Sequence, residues 1–464
     1  MDLNAEFETR EALINHVQHY SMESGYYVVI QRSREGKVWL KCDRGGTSKE
    51  RDVPRQRDTD TRLNGCQFAV VGRLFAKERV WKILEVQEEH NHDPSFDRVG
   101  SSVGRRLAAG EKARVMQFAR DGIQVKDILS NLRSEFNNNW TTAKDIHNFL
   151  QAAKKDYLNG RTPIHALFDA LSAEEFSFRA AFHPNGAVAS LFLIHKQSIE
   201  LCRRWPYVFV MDCTYKTNKF GLPLLSIVGM AATNQSFNAG YALTMEENQA
   251  QYMWALECFR DIVSVNPVTI VTDCERALMN ALAVVFPESR YLLCIWHINK
   301  AILANCRSLM PGDTWENFEV GWNSCLASKT EPEFEMKWTE FCQSYESYPQ
   351  ALRYISTQWL PVKDRFVKCY TGQNLHFGSV TSSRVESSHT VLKRYLKVSE
   401  HDLLGAFNCM KRMLANQFVE IRRELEDDKR KIAFSHRSQI MGEIVSKVSK
   451  VGCCQNHRQA TQRS

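Results

Sequence analysis

The segment YVFVMDCTYKTN, residues 207–218, ends a run of apolar residues with an acid, Asp212. The segment VTIVTDCERALMNAL, residues 268–282, repeats this arrangement with Asp273. Both runs are short and rich in β-branched residues, which is typical of buried strands. A buried carboxylate is costly unless it is paired, hydrogen-bonded or metal-bound, so two such acids indicate a site. We expect them at the carboxyl edge of an α/β sheet, where binding sites form.

The sequence around these two segments predicts an α/β architecture. Six short apolar runs predict strands, and they lie within FSFRAAFHP, AVASLFLIH, YVFVMDC, LLSIVGMAAT, NAGYALTM and VTIVTDC. Helical periodicity over Gln249–Val263 and Arg276–Phe286 indicates helices that alternate with the later strands. Residues 298–380 have a helical pattern without a strand signal, which indicates a helical insertion within a domain spanning 175–400. We expect a helical tail over 401–464 with a disordered end.

A site of this kind needs a third acid, and the sequence favours Glu386 in TSSRVESSHTVLKRYLK, residues 381–397. This segment is amphipathic, and the serines beside Glu386 leave room for a ligand to approach. Lys393 lies seven residues further along the same helical face, where it could meet a phosphate. The alternative is that Glu386 is an ordinary surface glutamate. The competing acids of the preceding helical stretch are Glu331, Glu333, Glu335, Glu340 and Glu346.

Three such carboxylates offer the oxygen ligands that Mg²⁺ prefers, and Mg²⁺ also bridges substrate phosphates. Pairs of these ions assist phosphodiester displacement, because they activate the attacking oxygen and stabilise the leaving one.

A second motif, CIWH, follows a strand-like run and contains Cys294 and His297. The two residues could form half of a zinc site, or they could pack and hydrogen-bond within the core. Trp296, which lies between them, could stack on a displaced base or belong to the core.

Residues 1–95 predict a small β-rich domain with four potential zinc ligands. Its strand-like runs are Tyr26–Gln31, Val38–Lys41, Cys66–Leu74 and Val80–Val86. Cys42, Cys66, His90 and His92 give the two cysteines and two histidines that suit a tetrahedral Zn²⁺ site. A metal also stabilises a unit of this size. The alternative is a pair of buried cysteines with an unrelated pair of surface histidines.

Residues 96–110 carry glycine and serine and predict a linker. Three amphipathic segments follow within residues 111–170, and a glycine at the first turn between them gives a pattern similar to a helix-turn-helix unit. Such units bind DNA in some proteins and serve as packing modules in others, so the sequence leaves both roles open for this stretch.

The whole chain has 464 residues, a formal charge of +7 and a pI near 8.7, which permits a polyanionic partner without requiring one. The basic residues of the N-terminal domain, which could contact phosphates or form a solvated edge, are Lys37, Lys41, Arg44, Lys49 and Arg51. The sequence contains no run of about 18 apolar residues and no signal-peptide pattern. We therefore expect neither membrane insertion nor secretion, and we expect the 14 cysteines to stay reduced.

The motifs MDCTYKTN, VTDCERALMNAL, CIWHINKAI and SSRVESSH occur in this order and together resemble the Mutator-like element (MULE) transposase domain, over about residues 205–400. The resemblance implies an RNase H-like fold with a helical insertion before the last acid. It implies that Asp212, Asp273 and Glu386 are the DDE acids that hold two Mg²⁺ (or Mn²⁺) ions. The family's CxxH motif falls on the pair in CIWHINKAI.

The Cys…Cys…His-x-His set of residues 5–95 resembles the zinc domain of the WRKY/GCM superfamily, in particular the far-red impaired response type, which binds DNA. Many relatives also carry a SWIM zinc finger near the C-terminus. This chain departs from that pattern, because only Cys453, Cys454 and His457 occur there and their spacing differs.

Together, the two resemblances imply a nuclear DDE transposase of a Mutator-like DNA transposon. Such an enzyme binds terminal inverted repeats, cleaves DNA at the element's ends and transfers the strand to a target. The implied partners are double-stranded DNA and, by analogy, further copies of the chain. The alternative is a domesticated transposase that regulates transcription without catalysis, because proteins of the far-red impaired response group have the same motifs. A plain nuclease without strand transfer is a third reading, and the N-terminal DNA-binding domain argues against it.

Overall fold

The computed structural model describes residues 5–47, 61–137, 139–398 and 401–430. The chain divides into two compact units, Met1–Gly160 and Arg161–Ser464, each with hydrophobic cores of its own. Several residues and one region singled out in the sequence lie outside the described part: Lys49, Arg51, Cys453, Cys454, His457 and the tail after residue 430.

The first unit begins with a five-stranded antiparallel sheet and one helix. Its elements are β1 (Glu6–Phe7), α1 (Arg10–Glu23), β2 (Val28–Arg34), β3 (Lys37–Cys42), β4 (Ala69–Phe75) and β5 (Val80–Gln87). The strand order is β1-β5-β4-β3-β2. Helix α1 begins at the cap Thr9, whose hydroxyl accepts a hydrogen bond from the Ala12 amide, and it buries Leu13, Ile14 and Val17 in the core of this sheet.

The predicted strands of this sheet are present, whereas α1 was not predicted from the sequence. Only three strongly apolar residues mark the buried face of that helix, and the polar residues between them weaken the helical periodicity.

The remainder of the first unit is a module of three helices, as the periodicity predicted. They are α2 (Ala109–Arg120), α3 (Val125–Glu135) and α4 (Ala143–Leu158), packed around Val115, Ile128 and Ile146. The segment 96–110, predicted to be a linker, differs from that prediction because it is packed. It contains a 3-10 turn at Arg98–Gly100, and the side chains of Val103 and Leu107 are buried.

The second unit is built on a seven-stranded mixed sheet. Its elements are α5 (Pro163–Ala173), β6 (Phe176–Phe182), β7 (Val188–His195), α6 (Lys196–Arg204), β8 (Val208–Thr214), β9 (Leu224–Met230), β10 (Ser236–Leu243), α7 (Gln249–Val263), β11 (Thr269–Thr272), α8 (Arg276–Val285) and β12 (Arg290–Leu293). The strand order is β12-β11-β8-β9-β10-β7-β6. Strands β8, β11 and β12 run parallel, and the remaining pairs are antiparallel. All six apolar runs predicted as strands are strands.

The two faces of this sheet are covered by different helices. On one face, Phe209 and Met211 of β8 join a large core with residues of α6, α7 and α8. On the other face, Val208 and Val210 pack against Val385, which lies on a later helix. Because successive side chains of a strand point to opposite faces, Asp212 lies on the face of Val208 and Val210.

The rest of the second unit is helical, in agreement with the absence of a strand signal in its sequence. Its helices are α9 (Ile295–Cys306), α10 (Gly312–Leu326), α11 (Glu331–Ser344), α12 (Pro349–Gln358), α13 (Lys368–Thr371), α14 (Ser383–Leu396) and α15 (Leu403–Arg430). Helices α9 to α13 share an aromatic core that includes Trp315, Phe318, Trp322 and Phe341. None of the helices in the described part of the chain combines the length and apolar character that a membrane span requires.

Candidate functional sites

The two cysteines and two histidines of the first unit come together because three strand ends meet at one edge of its sheet. Cys42 ends β3, and its neighbour Lys41 pairs with Ala69 at the start of β4. Ala69 pairs in turn with Gln87, the last residue of β5. Cys66 precedes β4 and the two histidines follow β5, so antiparallel pairing places all four residues side by side.

The ligand atoms of Cys42, Cys66, His90 and His92 all lie within 4.8 Å of one another. The Cys42 Sγ lies 3.2 Å from the His92 Nε2, and the Cys66 Sγ lies 3.4 Å from the His90 Nδ1. Tetrahedral Zn²⁺ with ordinary bond lengths would separate neighbouring ligand atoms by roughly 3.3–3.8 Å. The cluster therefore has the composition and the spacing of a zinc site.

Both imidazole rings are held in place by their surroundings. The His92 Nδ1 lies 3.0 Å from the Asp93 carbonyl, so a proton on this nitrogen leaves the Nε2 lone pair free for a metal. The His90 ring stacks between Tyr26 and Phe68, with ring centroids 3.6 Å and 4.4 Å away. These contacts fix the orientation of both imidazole rings.

The protonation of these groups depends on whether a cation is bound. Burial raises the pKa of the Cys42 thiol to about 12, and the neighbouring Cys66 adds to this rise because two thiolates would repel each other. Burial, assisted by His92, lowers the pKa of His90 to about 4, so its imidazole is neutral at physiological pH. A bound Zn²⁺ would accept the neutral imidazoles and compensate the two thiolates.

A second candidate site lies at the carboxyl ends of β8 and β11. These strands are parallel and pair Met211 with Thr272, so Asp212 and Asp273 occupy the next positions along two adjacent strands. The Cys213 amide donates a hydrogen bond of 2.9 Å to the Asp212 Oδ1, and the Glu275 amide donates one of 3.3 Å to the Asp273 Oδ1. The sheet thus brings the two predicted aspartates together at one edge.

Glu386 reaches the same face of the sheet from the first turn of α14. Its neighbour Val385 packs against the valines of β8, and the Ser382 hydroxyl donates a hydrogen bond to the Glu386 carboxylate. Burial raises the pKa of Asp212 to about 7, and repulsion from Asp273 and Glu386 contributes to the rise. The three acids therefore act on one another, although within the described residues only the Cys/His cluster brings three or more ligand atoms within 4.8 Å.

Cys294 and His297 form a hydrogen-bonded group with Ser382. The Cys294 Sγ accepts a hydrogen bond from the Ser382 amide at 3.1 Å and lies 3.2 Å from the Ser382 hydroxyl. The same hydroxyl lies 3.3 Å from the His297 Nδ1. Burial opposes ionisation of the Cys294 thiol, but hydrogen bonds from His297 and Ser382 outweigh it and lower its pKa. The CxxH motif is thus hydrogen-bonded to Ser382, the residue whose hydroxyl donates to the Glu386 carboxylate.

His297 also connects this group to the aspartates. Its hydrogen bond with Cys294 raises its pKa against the effect of burial, and the charges of Asp273 and Asp212 raise it further. Trp296 is 49% exposed and therefore does not belong to the core; Lys300 lies 5.0 Å above its ring.

Two further residues beside the acids were missed in the sequence. The His389 side chain is 8% exposed, and its Nδ1 lies 3.8 Å from the Asp212 Oδ2. Glu247 accepts a hydrogen bond from Tyr215, while its Oε1 is buried without a partner in the described structure. Burial raises the pKa of Asp273, and the charge of Glu247 adds to this rise. His389 follows Glu386 by three positions, a helical spacing that could have revealed it. Glu247 lies beyond the end of β10 and gives no such signal.

The other predicted residues take ordinary surface positions. Lys393 is exposed on α14. The competing glutamates lie away from the sheet edge, on α11 and in the turn after it, and two of them pair with lysines there: Glu333 with Lys337 and Glu335 with Lys363.

The chain is similar to two protein families over separate ranges. Residues 208–301 match the MULE transposase domain, and residues 7–94 match the transcription factor AFT family. A solved structure of AFT2 in complex with DNA is 21% identical; it covers 34% of this chain and 96% of that one, with a TM-score of 0.16.

Three curated proteins illustrate the relatives. Protein FAR1-RELATED SEQUENCE 5 of Arabidopsis thaliana is 24% identical over 77% of this chain and 48% of its own length. Protein FAR-RED IMPAIRED RESPONSE 1 of the same plant is 22% identical over 89% of this chain and 52% of its own. The PKS-NRPS hybrid synthetase cheA of Chaetomium globosum is 23% identical over 85% of this chain but 9% of its own length.

The chain thus spans about half the length of the two plant relatives and a small part of the fungal synthetase. The order of the matched ranges agrees with the order of the two candidate sites along the chain. The protein therefore carries an AFT/FAR1-like domain and a MULE transposase domain, and it is homologous to the FAR1-related proteins.

Proposed function

We propose that the protein is a DDE transposase of a Mutator-like DNA transposon, which binds the element's terminal inverted repeats and cleaves and transfers DNA in the nucleus. The observation that carries the proposal is the meeting of Asp212, Asp273 and Glu386 at one edge of the sheet, within mutual electrostatic reach. Their order along the chain and their elements are those that the MULE resemblance implies.

The topology of the sheet supports an RNase H-like core for this function. Strands β8, β9 and β10 are consecutive and antiparallel, and β11 and β12 then add parallel to β8 on its other side. This is the strand order expected of an RNase H-like fold, with the first and second acids on neighbouring central strands. We assign residues 175–400 to this domain, with the helical insertion before the last acid.

The acids fit a divalent cation in donor chemistry and charge. They are oxygen donors. Burial raises the pKa of Asp212 and repulsion from the other two acids adds to the rise, and a cation would offset both effects. Mg²⁺ or Mn²⁺ held by Asp212, Asp273 and Glu386 would activate the attacking oxygen and stabilise the leaving one. Within the chain, Ser382 orients the Glu386 carboxylate, and the amides of Cys213 and Glu275 orient the two aspartates.

The first unit supplies the DNA recognition in this proposal. We assign residues 1–95 to a zinc-binding recognition domain, held together by Zn²⁺ on Cys42, Cys66, His90 and His92. The match to the AFT family over residues 7–94 supports double-stranded DNA as the partner. Such a domain would bring the DDE site to the transposon ends, and synapsis of two ends would require more than one copy of the chain.

The second candidate function is a transcription regulator derived from a transposase, without catalysis. Two observations favour it: the homology to FAR1-related proteins, and carboxylates that stand further apart than the atoms of the Cys/His cluster. Both functions require the DNA-binding domain, so DNA binding alone does not distinguish them.

DNA cleavage distinguishes the two functions. The substrate is DNA carrying the element's own ends, incubated with Mg²⁺ or Mn²⁺. The proteins are the wild type and the variants Asp212→Ala, Asp273→Ala and Glu386→Ala, with Glu346→Ala as an exposed control acid. We expect the wild type and the control to cleave and the three variants to be inactive. Binding without cleavage by the wild type would favour the regulator, and cleavage by Glu386→Ala would exclude Glu386 as the third acid.

A further inference from the structure

A groove of about 660 Å³ lies in the first unit, between α1 and the helical module. Its floor is the packed segment from Arg98 to Ala108, and its walls include Asn15 and His19 of α1 and Asn148 of α4. In the sequence, the floor segment follows the Cys/His cluster and lies beyond the residues that match the AFT family. The groove therefore has one wall on a helix of the matched region and its floor on a segment beyond that region.

The floor of the groove is fixed on both sides. The Arg106 Nη1 donates a 2.7 Å hydrogen bond to the Gln18 Oε1 on α1. The Arg105 Nε donates a 3.0 Å hydrogen bond to Asp145 on α4. Val103 is buried beneath the same segment. Because the segment is anchored to both walls, its basic side chains are presented from an ordered surface.

The charge of the groove is strongly positive. Asp145 is the one acid among the residues that line it, and Arg105 neutralises that charge. Arg106 hydrogen-bonds to an uncharged amide and keeps its full charge. Arg98 and Lys112 are exposed, and neither forms an ion pair within the described part of the chain. Three unneutralised cations thus face one open groove.

We infer that this groove binds the sugar-phosphate backbone of double-stranded DNA. Arginine, lysine, asparagine and serine side chains, all present in the lining, are the groups that contact phosphates and position a protein on a duplex. The inference rests on the proposed DNA-binding function and extends it, because it gives the segment 98–112 and the helical module a role in DNA positioning. Such contacts carry no base specificity.

The test is the salt dependence of DNA binding by the full zinc-loaded chain, measured on two duplexes of unrelated sequence. The variants are Arg98→Gln and Lys112→Gln. Lys126→Gln is the matched control, because Lys126 is an exposed lysine of α3 outside the groove. Each lost phosphate contact should reduce the slope of log K against log salt by about 0.9, and affinity near 0.15 M salt by about fivefold. The control should keep the wild-type slope.

The outcomes separate this inference from the proposed function. Wild-type binding with unchanged slopes in both groove variants would overturn the inference and leave DNA binding by the recognition domain intact. A loss of affinity for only one of the two duplexes would also overturn it, because removing a backbone contact should weaken binding to both duplexes equally. Tighter binding of double-stranded RNA than of DNA, with equal losses in the variants, would assign the groove to RNA. Failure of the wild type to bind either duplex would refute the proposed function itself.

Discussion

Asp212 lies beside two other acids in a largely buried position, and its protonation couples the proposed site to the stability of the fold. Its pKa of about 7 stands above the ordinary value of 3.8, so the folded state holds the proton more tightly than the unfolded chain does. The stability from this group is therefore fully present below pH 4 and is lost as the pH rises through about 7.

We expect Asp212→Asn to make the protein more stable than the wild type at pH 8 without divalent cations in the proposed DDE site, and to change little at pH 4. The amide cannot ionise, so the cost of burying a charge at this position and the repulsion from Asp273 and Glu386 are both removed. Thermal unfolding of the zinc-loaded protein between pH 4 and pH 8 measures this, with Glu346→Gln as the exposed control. Mg²⁺ should stabilise the wild type at pH 8 but not the variant. Equal pH dependence of variant and wild type would contradict the burial of an ionisable Asp212.

Ser382 connects the CxxH pair to Glu386. Its amide contacts Cys294 and its hydroxyl contacts Glu386, and a substitution can remove the hydroxyl while the amide stays. We expect Ser382→Ala to reduce Mn²⁺ affinity and cleavage by about 10- to 100-fold, the usual effect of losing a group that orients a metal ligand. Ser382→Thr keeps the hydroxyl and should retain more of both activities. Calorimetric Mn²⁺ titration reports the affinity independently of catalysis. Identical behaviour of the alanine and threonine variants would show that the hydroxyl has no orienting role.

Gly229 allows the aromatic ring of Phe237 to lie directly against the backbone of β9. It lies on β9 opposite Phe237 of β10, and a Cβ at this position would come within 2.8 Å of the Phe237 Cε1 and Cε2. We expect Gly229→Ala to lower the free energy of unfolding by about 1–3 kcal/mol, because a buried ring must move. Gly312→Ala, at the exposed start of α10, has room for the methyl group and is the control. Denaturant unfolding followed by tryptophan fluorescence measures both, and equal stability would mean that the core adapts freely.

At the level of elements, the sequence predicted the strands of the second unit, because their existence depends on short-range pattern. The strands of the second unit are continuous β-branched runs that end in turn residues, so their existence followed from composition alone. Pairing between distant strands does not follow from local pattern, and it is the pairing of β8 with β11 that brings Asp212 and Asp273 together. The pattern around Glu386 favoured it over the competing glutamates, and the family resemblance agreed with that choice. Glu247 could not be found, because its position depends on the loop after β10. The assignment of these residues to catalysis stays a prediction.

The whole molecule consists of two units with separate cores, and each candidate site belongs to one of them. In the first unit the four Cys/His side chains join three strand ends, so the metal would contribute directly to the stability of that sheet. In the second unit the three acids lie at the edge of a different sheet, and the hydrophobic cores of that sheet contain none of the Cys/His residues. The proposed DNA binding and the proposed DNA cleavage should therefore be separable by mutation.

We expect Cys66→Ser, or removal of Zn²⁺ by a chelator, to unfold the β-sheet of the first unit and abolish DNA binding, while the unfolding transition of the second unit stays in place. Asp212→Asn should leave the first unit folded, with wild-type affinity for duplex DNA, and should abolish cleavage. Calorimetry resolves the two transitions, and a binding assay on the same samples reports the function of the first unit. Cys306→Ser, a buried cysteine outside the cluster, controls for the loss of a thiol as such. Simultaneous loss of both transitions on chelation would show that the metal stabilises the whole chain, and DNA binding that survives without Zn²⁺ would remove the cluster from the recognition function.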